Sequence, residues 1–189
     1  GWQAGMEGGL ATADLLVGDV CPSGHLTDTF ARAFADYPSS ETFNESEKYV
    51  TYDEDIFVGY RYFETIPGAA EKVCYPFGFG LSYTDFELEC ISCKKAEDKI
   101  KVTVKITNKG DVDGDEVIQV YVGSTGTEKD RPVKVLKGFR RVSIKAGEAV
   151  TAEADVLIDD IKFYNPESDT WELDENYTVY IGTDSKKVT

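Results

Sequence analysis

Residues 99–122 read KIKVTVKITNKGDVDGDEVIQVYV. Ile100, Val102, Val104 and Ile106 alternate with Lys and Thr, which is the period of a strand with one buried face. Asn108-Lys109-Gly110-Asp111 has the composition of a turn. The nearly continuous apolar run Val117 to Val122 then predicts a second strand. Working outward, Phe86, Leu88 and Cys90 alternate with polar residues on the N-terminal side. On the C-terminal side, Val133 to Ile144 is a strand interrupted at Gly138, and Ala146-Gly147-Glu148 is a turn. Val150, Ala152, Ala154 and Val156 alternate again, Asp159 to Tyr164 reads as a short helical turn, and Trp171–Leu173 and Tyr177–Ile181 close the series. About seven short strands between Gly, Asn and Asp turns predict a β-sandwich of the immunoglobulin type over residues 83–189.

Upstream, Tyr52 to Leu88 is crowded with rings. Tyr52, Phe57, Tyr60, Tyr62 and Phe63 surround the single basic residue Arg61, and Phe77-Gly78-Phe79-Gly80 alternates rings with glycines. So many rings are too apolar for a solvated linker, and glycines let the backbone approach another surface closely. The expectation is a buried seam between two structural units, with Phe77, Phe79 and Tyr83 wedged in it; a ligand cleft is the alternative. Pro67-Gly68-Ala69-Ala70 reads as an exposed loop tip. Residues 31–50 lose all pattern and read as a surface connection. At the start, Met6, Leu10, Ala13 and Val17 form one helical stripe, Gly18 is a C-terminal stop and Pro22-Ser23-Gly24 is a turn. One helix with one apolar stripe is not a domain. Its partners are expected upstream of Gly1, and a chain opening on Gly-Trp reads as a piece of a longer protein.

Several of these phrases also carry a resemblance. IFVGYRYFE and YPFGFGLSYTDFE are similar to the segment of glycoside hydrolase family 3 enzymes that joins an α/β-sandwich domain to a fibronectin type III-like domain. GWQAGMEGGLATADLLVGDVCPSGHLTDTF resembles the last helix and following loop of that α/β sandwich, with departures at Met6, His25 and Thr27. NKGDVDGDEVIQVYV, PVKVLKGFRRVSIKAGE and YTVYIG resemble the fibronectin-like domain. The resemblance implies three parts: residues 1–50, the end of the α/β sandwich with a surface connection; 51–82, an aromatic linker; and 83–189, the fibronectin type III-like domain. It also implies a parent that is a retaining, exo-acting β-glycosidase of β-glucosidase type, acting on a β-linked glucoside or related oligosaccharide. The partners of these residues would be a (β/α)8 barrel and the rest of the α/β sandwich. A non-catalytic sugar-binding or adhesion module is the competing reading.

Glycoside hydrolysis needs two carboxyl groups flanking the scissile bond, and 35 acidic residues offer no pair by spacing alone. In the family the resemblance implies, the Asp nucleophile lies in the barrel and the Glu acid/base lies earlier in the α/β sandwich; neither motif occurs here. No catalytic residue is therefore assigned, Glu7 being the tempting substitute that matches a helix start instead. Substrate-contacting residues stay unassigned. Asp111, Asp113 and Asp115 imitate part of a calcium loop, but the glycine and the twelfth position are wrong, so no metal is expected. Gly78-Phe79-Gly80 precedes a strand rather than a helix and is not a dinucleotide fingerprint, and no cofactor is expected. His25, the single histidine, lacks a nucleophile elbow and reads as a surface or interface residue.

A net charge of -15 opposes nucleic acid and anionic membranes while leaving a neutral sugar as a partner. Cys90 and Cys93 have the spacing of half a zinc site. In an extended strand that offset sends the two side chains to opposite faces, so reduced structural thiols are expected for these and for Cys21 and Cys74. Thiols of that kind point to the cytoplasm, with secretion as the alternative.

Overall fold

A computed structural model describes residues 3–124 and 131–189. The β-sandwich forms as the alternation dictates. One sheet is ordered β3 (Phe86–Lys95), β4 (Lys99–Asn108), β7 (Ala149–Glu153), with β8 (Val156–Leu157) pairing the other end of β4. The facing sheet is ordered β11 (Tyr177–Gly182), β5 (Gly114–Ser124), β6 (Val135–Ile144). All pairings are antiparallel. Ile100, Val102, Val104 and Ile106 point inward with Ile118, Val120 and Val122, and this core lies entirely between Phe86 and Ile181. The turn after β4 is built by Asn108, whose buried amide donates to Val112 O (2.8 Å) and Ile144 O (3.2 Å) while its oxygen accepts from Gly110 N and Thr84. An Asn can satisfy a turn's backbone groups and cross to the next strand at once, which is why Asn stands there.

Several expectations change. The run Val150–Val156 is two strands, because both ends of β4 need a neighbour. The segment read as a helical turn is a 3-10 turn at Asp159–Ile161 followed by β9 (Phe163–Asn165), which hairpins with β10 (Thr170–Glu172). β6 is one strand through Gly138, but its register shifts beside that glycine: Val120 pairs with Gly138 and Tyr121 with Leu136, which leaves Lys137 as the extra residue on β6. A side chain at Gly138 would come within 2.8 Å of Asp155 O, so the glycine serves close backbone approach rather than a break.

The cysteines need a sharper correction. A β-bulge at Ile91 shifts the register, so Cys90 pairs with Val104 and Cys93 with Val102, two positions apart on β4. The extra residue cancels the odd offset, and both thiols share one face rather than opposite ones. They remain free, as do Cys21 and Cys74. Burial, together with the Cys90 neighbour, pushes the Cys93 thiol up.

Outside the sandwich, α1 (Gly8–Val17) ends at Gly18 in the left-handed conformation with a Schellman-type pair of bonds, Gly18 N to Leu15 O and Asp19 N to Asp14 O. Its apolar stripe is open: Met6 is 99% exposed, and Leu10, Leu16 and Val17 are exposed too. Residues 31–50 are more than a surface connection. β1 (Phe30–Ala31) pairs with β2 (Val73–Tyr75), and Tyr37 packs edge-on against Phe63 with its hydroxyl bridging Thr29 O and Ala31 N. Ala69, expected at a loop tip, is buried with Phe63 and Val73 and starts a 3-10 turn after Gly68. Among the described residues no helix is long and apolar enough to cross a membrane.

Candidate functional site

The aromatic stretch docks on the sandwich rather than forming a site of its own. Gly59, at φ 60°, turns the chain into α2 (Tyr60–Thr65). Along α2, Tyr60 OH accepts from Leu136 N (2.9 Å), Thr65 Oγ1 accepts from Val133 N (2.9 Å), and Glu64 accepts from both Lys134 Nζ (3.2 Å) and Ser185 Oγ (3.0 Å). The Tyr60 ring stacks on Phe77 at 4.6 Å and meets Tyr121 edge-on at 5.8 Å. Burial raises the pKa of the Tyr60 phenol and pushes that of Tyr121 well above the usual phenol value, so both remain protonated. Tyr52, at 87% exposed, and Tyr83 lie outside this packing, and Phe79 is only half-buried, tilted against Tyr75 at 5.2 Å. The rings that meet the sandwich are therefore Tyr60 and Phe77, with Phe63 packed on the other side against Tyr37, and not the trio Phe77, Phe79 and Tyr83. Arg61 is not ringed by aromatics as a cation would be in a cage; its buried Nε has no partner.

One residue closes the junction that the sequence did not mark. Gln119, buried on β5, donates from Nε2 to Gly78 O (3.1 Å) and to Thr183 O, while its Oε1 accepts from Tyr121 OH (2.5 Å). Gly78, at φ 79°, lies so close to Gln119 that no Cβ fits between them. A polar residue inside an apolar strand run was the available signal, since a buried amide must find partners.

Beside it opens a cleft of about 300 Å³ between the Pro22–Leu26 turn, the Phe79–Ser82 segment and β5. His25 lies in it, 2.7 Å from Glu116 Oε1 through Nε2 and 3.0 Å from Ser23 O through Nδ1. His25 is thus an interface residue, one of the two expectations raised for it. The same turn is sewn to the glycine segment by Leu26 N to Phe79 O and Gly78 N to Leu26 O, both 2.8 Å.

The remaining candidates are dispersed. Glu7 sits at the N-cap of α1, exposed and with no capping bond from its side chain. Asp113 accepts from Lys145 Nζ (2.6 Å) and Ala146 N (2.9 Å), which hold its carboxyl below the usual range, and Asp115 pairs with Arg141. These acids bridge β-turns rather than converge, and no group of His, Cys, Asp and Glu able to hold a metal occurs among the described residues. A wider groove of about 690 Å³ between β6 and β7 contains Glu153 and Asp155, the latter paired with Lys99 at 2.7 Å. The β9–β10 hairpin shows Trp171, 67% exposed, directly across from Tyr164.

Comparison with known proteins assigns both sides of this junction. Residues 1–83 match the glycosyl hydrolase family 3 C-terminal domain, and residues 116–185 match the fibronectin type III-like domain. The chain belongs to glycoside hydrolase family 3. It is 42% identical to β-glucosidase A of Butyrivibrio fibrisolvens over 96% of its own length and 24% of that protein's. It is 35% identical to the exo-α-(1→6)-L-arabinopyranosidase of Bifidobacterium breve, over 99% of its length and 25% of the relative's. The crystal structure of the Kluyveromyces marxianus β-glucosidase in complex with glucose superposes with a TM-score of 0.89 at 42% identity, over 96% of this chain and 22% of that one. The chain thus spans about a quarter of the length of the curated relatives it matches. Glycoside hydrolase family 3 sequence therefore extends here from α1 through the aromatic junction to the sandwich.

Proposed function

We propose that these residues are the accessory, non-catalytic portion of a retaining, exo-acting β-glycosidase of β-glucosidase type, holding the end of an α/β sandwich rigidly against a fibronectin type III-like domain. The observation that carries this reading is the bolted junction. α2, Gln119 and His25 tie the two matched regions together through buried hydrogen bonds, while the open stripe of α1 awaits packing from other parts of the same enzyme. The substrate of that enzyme would be a terminal β-linked glucoside or a related sugar, bound by a (β/α)8 barrel with the remainder of the sandwich. Four free thiols support a reducing compartment, and with it a cytoplasmic location.

A carboxyl group must be held against a bound sugar ring to act as general acid or nucleophile. Exposed Glu7 at a helix start has no such support. Residues 1–189 alone are therefore expected to release no nitrophenol from an aryl β-glucoside. Turnover lost on Glu7→Gln would replace the accessory reading with a catalytic one. The sugar-binding alternative rests on the exposed Trp171–Tyr164 pair, and retention of the chain on an oligosaccharide column would favour it.

The boundary itself has a measurable consequence. We infer that residues 83–189 fold alone while 1–82 do not, because the sandwich core lies wholly within the former. Removing 56–82 nevertheless uncovers Tyr121, Gln119 and Lys134, all buried in the intact chain. Thermal melts of 83–189 and 56–189 should both be cooperative, with the longer piece melting several degrees higher. A cooperative transition in 1–82 alone would move the boundary.

A further inference from the structure

His25 is held on both edges of its ring by acceptors. The Ser23 carbonyl oxygen stands 3.0 Å from Nδ1, and a Glu116 carboxylate oxygen stands 2.7 Å from Nε2. A carbonyl has no proton to give and a carboxylate accepts, so both ring nitrogens are required to donate. Only the imidazolium carries two N–H groups. Both side chains are largely enclosed, each 13% exposed, and water competes little for either bond. The ring lies close against the Gly80 backbone, where a Cβ would fall 2.9 Å from its Cδ2 and Nε2. We propose that His25 and Glu116 form a proton-operated clasp across the junction: a bound proton locks the Pro22–Leu26 turn onto β5, and its loss as pH rises releases that turn.

The surroundings favour the cation. Glu116 and Asp115 face the cleft from β5, Asp184 and Lys187 from the tail after β11, and Asp85 from the segment before β3. Arg141 reaches in from β6 and bonds Asp115 and Ser23 Oγ. Burial of the ring works to lower its pKa, but the Glu116 hydrogen bond and charge, the Ser23 carbonyl and the Asp184 charge together outweigh it, and the net shift is upward from 6.5. A folded pKa above the unfolded one fixes the sign. The clasp contributes in full below about pH 6.5 and is lost as pH rises through the folded value. Release would loosen the backbone bonds Leu26 N to Phe79 O and Gly78 N to Leu26 O, which hold the turn on the glycine segment.

Because His25 is the single histidine of 189 residues, its imidazole can be followed in the intact chain by nitrogen–proton NMR between pH 5 and 9 without any substitution. Both ring nitrogens are expected to carry protons at pH 5, with a titration midpoint above 6.5; in Glu116→Gln the midpoint should fall by about one unit or more, a tenfold change in proton affinity. Amide exchange gives the mechanical readout. Protection of Leu26 and Gly78, relative to the Val102 amide in the core, should drop more than about threefold between pH 6 and 9 in the native chain and stay level in His25→Gln. A singly protonated ring at pH 5, a midpoint at or below 6.5, or the same exchange profile in native and His25→Gln protein would each overturn the clasp. If Glu116→Gln does not fold, the native titration and the His25→Gln exchange decide the matter.

Discussion

Gln119→Leu is expected to destabilise the chain by roughly 3–5 kcal/mol, because one substitution strands two buried polar groups and a half-buried carbonyl, and a buried group costs about 1–3 kcal/mol when left unpaired. The three are Gly78 O, Thr183 O and the Tyr121 hydroxyl, all now satisfied by the amide. Two of them cannot turn to solvent, since Gly78 and Tyr121 are buried with Gln119 in the same seam, while Thr183 is half-buried. Leucine would match the volume and suit the apolar strand, so a propensity argument predicts the opposite sign. Urea melts of the two proteins separate these readings. A loss below about 1 kcal/mol would mean that water reaches the seam and satisfies the groups the amide leaves behind.

Phe63→Ala should cost a similar amount, about 3–5 kcal/mol, as for a fully buried aromatic truncated to a methyl. Phe63 is 1% exposed and fills the small cluster it shares with Ala69 and Val73. Tyr37 and Tyr62 press on it edge-on at 5.9 and 5.2 Å. This cluster has few members, so neighbours cannot close over the gap, and Tyr37 would lose the ring that keeps its hydroxyl on Thr29 O and Ala31 N. Phe79→Ala should cost distinctly less, because Phe79 already meets solvent on one side and has less apolar area to give back. Denaturant midpoints for the two alanine variants test the order. Equal losses would show that the glycine segment is packed as tightly as α2.

Ile100, Val102, Val104 and Ile106 determined the sandwich by themselves, because a period of two leaves a strand no other way to bury its apolar side. The same logic placed β5, the Gly18 stop and the turn at Asn108, where local chemistry and global fold agree. The resemblance of residues 56–64 and 75–87 to a known joining segment marked the seam. The order of residues did not tell which rings close it: Tyr60 and Phe77 meet the sandwich and Phe63 meets Tyr37, while Tyr52 stands in solvent and Tyr83 reaches back to Leu15 O of α1, because ring burial depends on which face of α2 meets β6. Cys90 and Cys93 came out on one face through the bulge at Ile91, a register event set by the β4 partner. The partners of Gln119 and of His25 were equally invisible. Residues 25 and 116, and 78 and 119, lie far apart along the chain, and only tertiary packing shows which buried donor meets which acceptor.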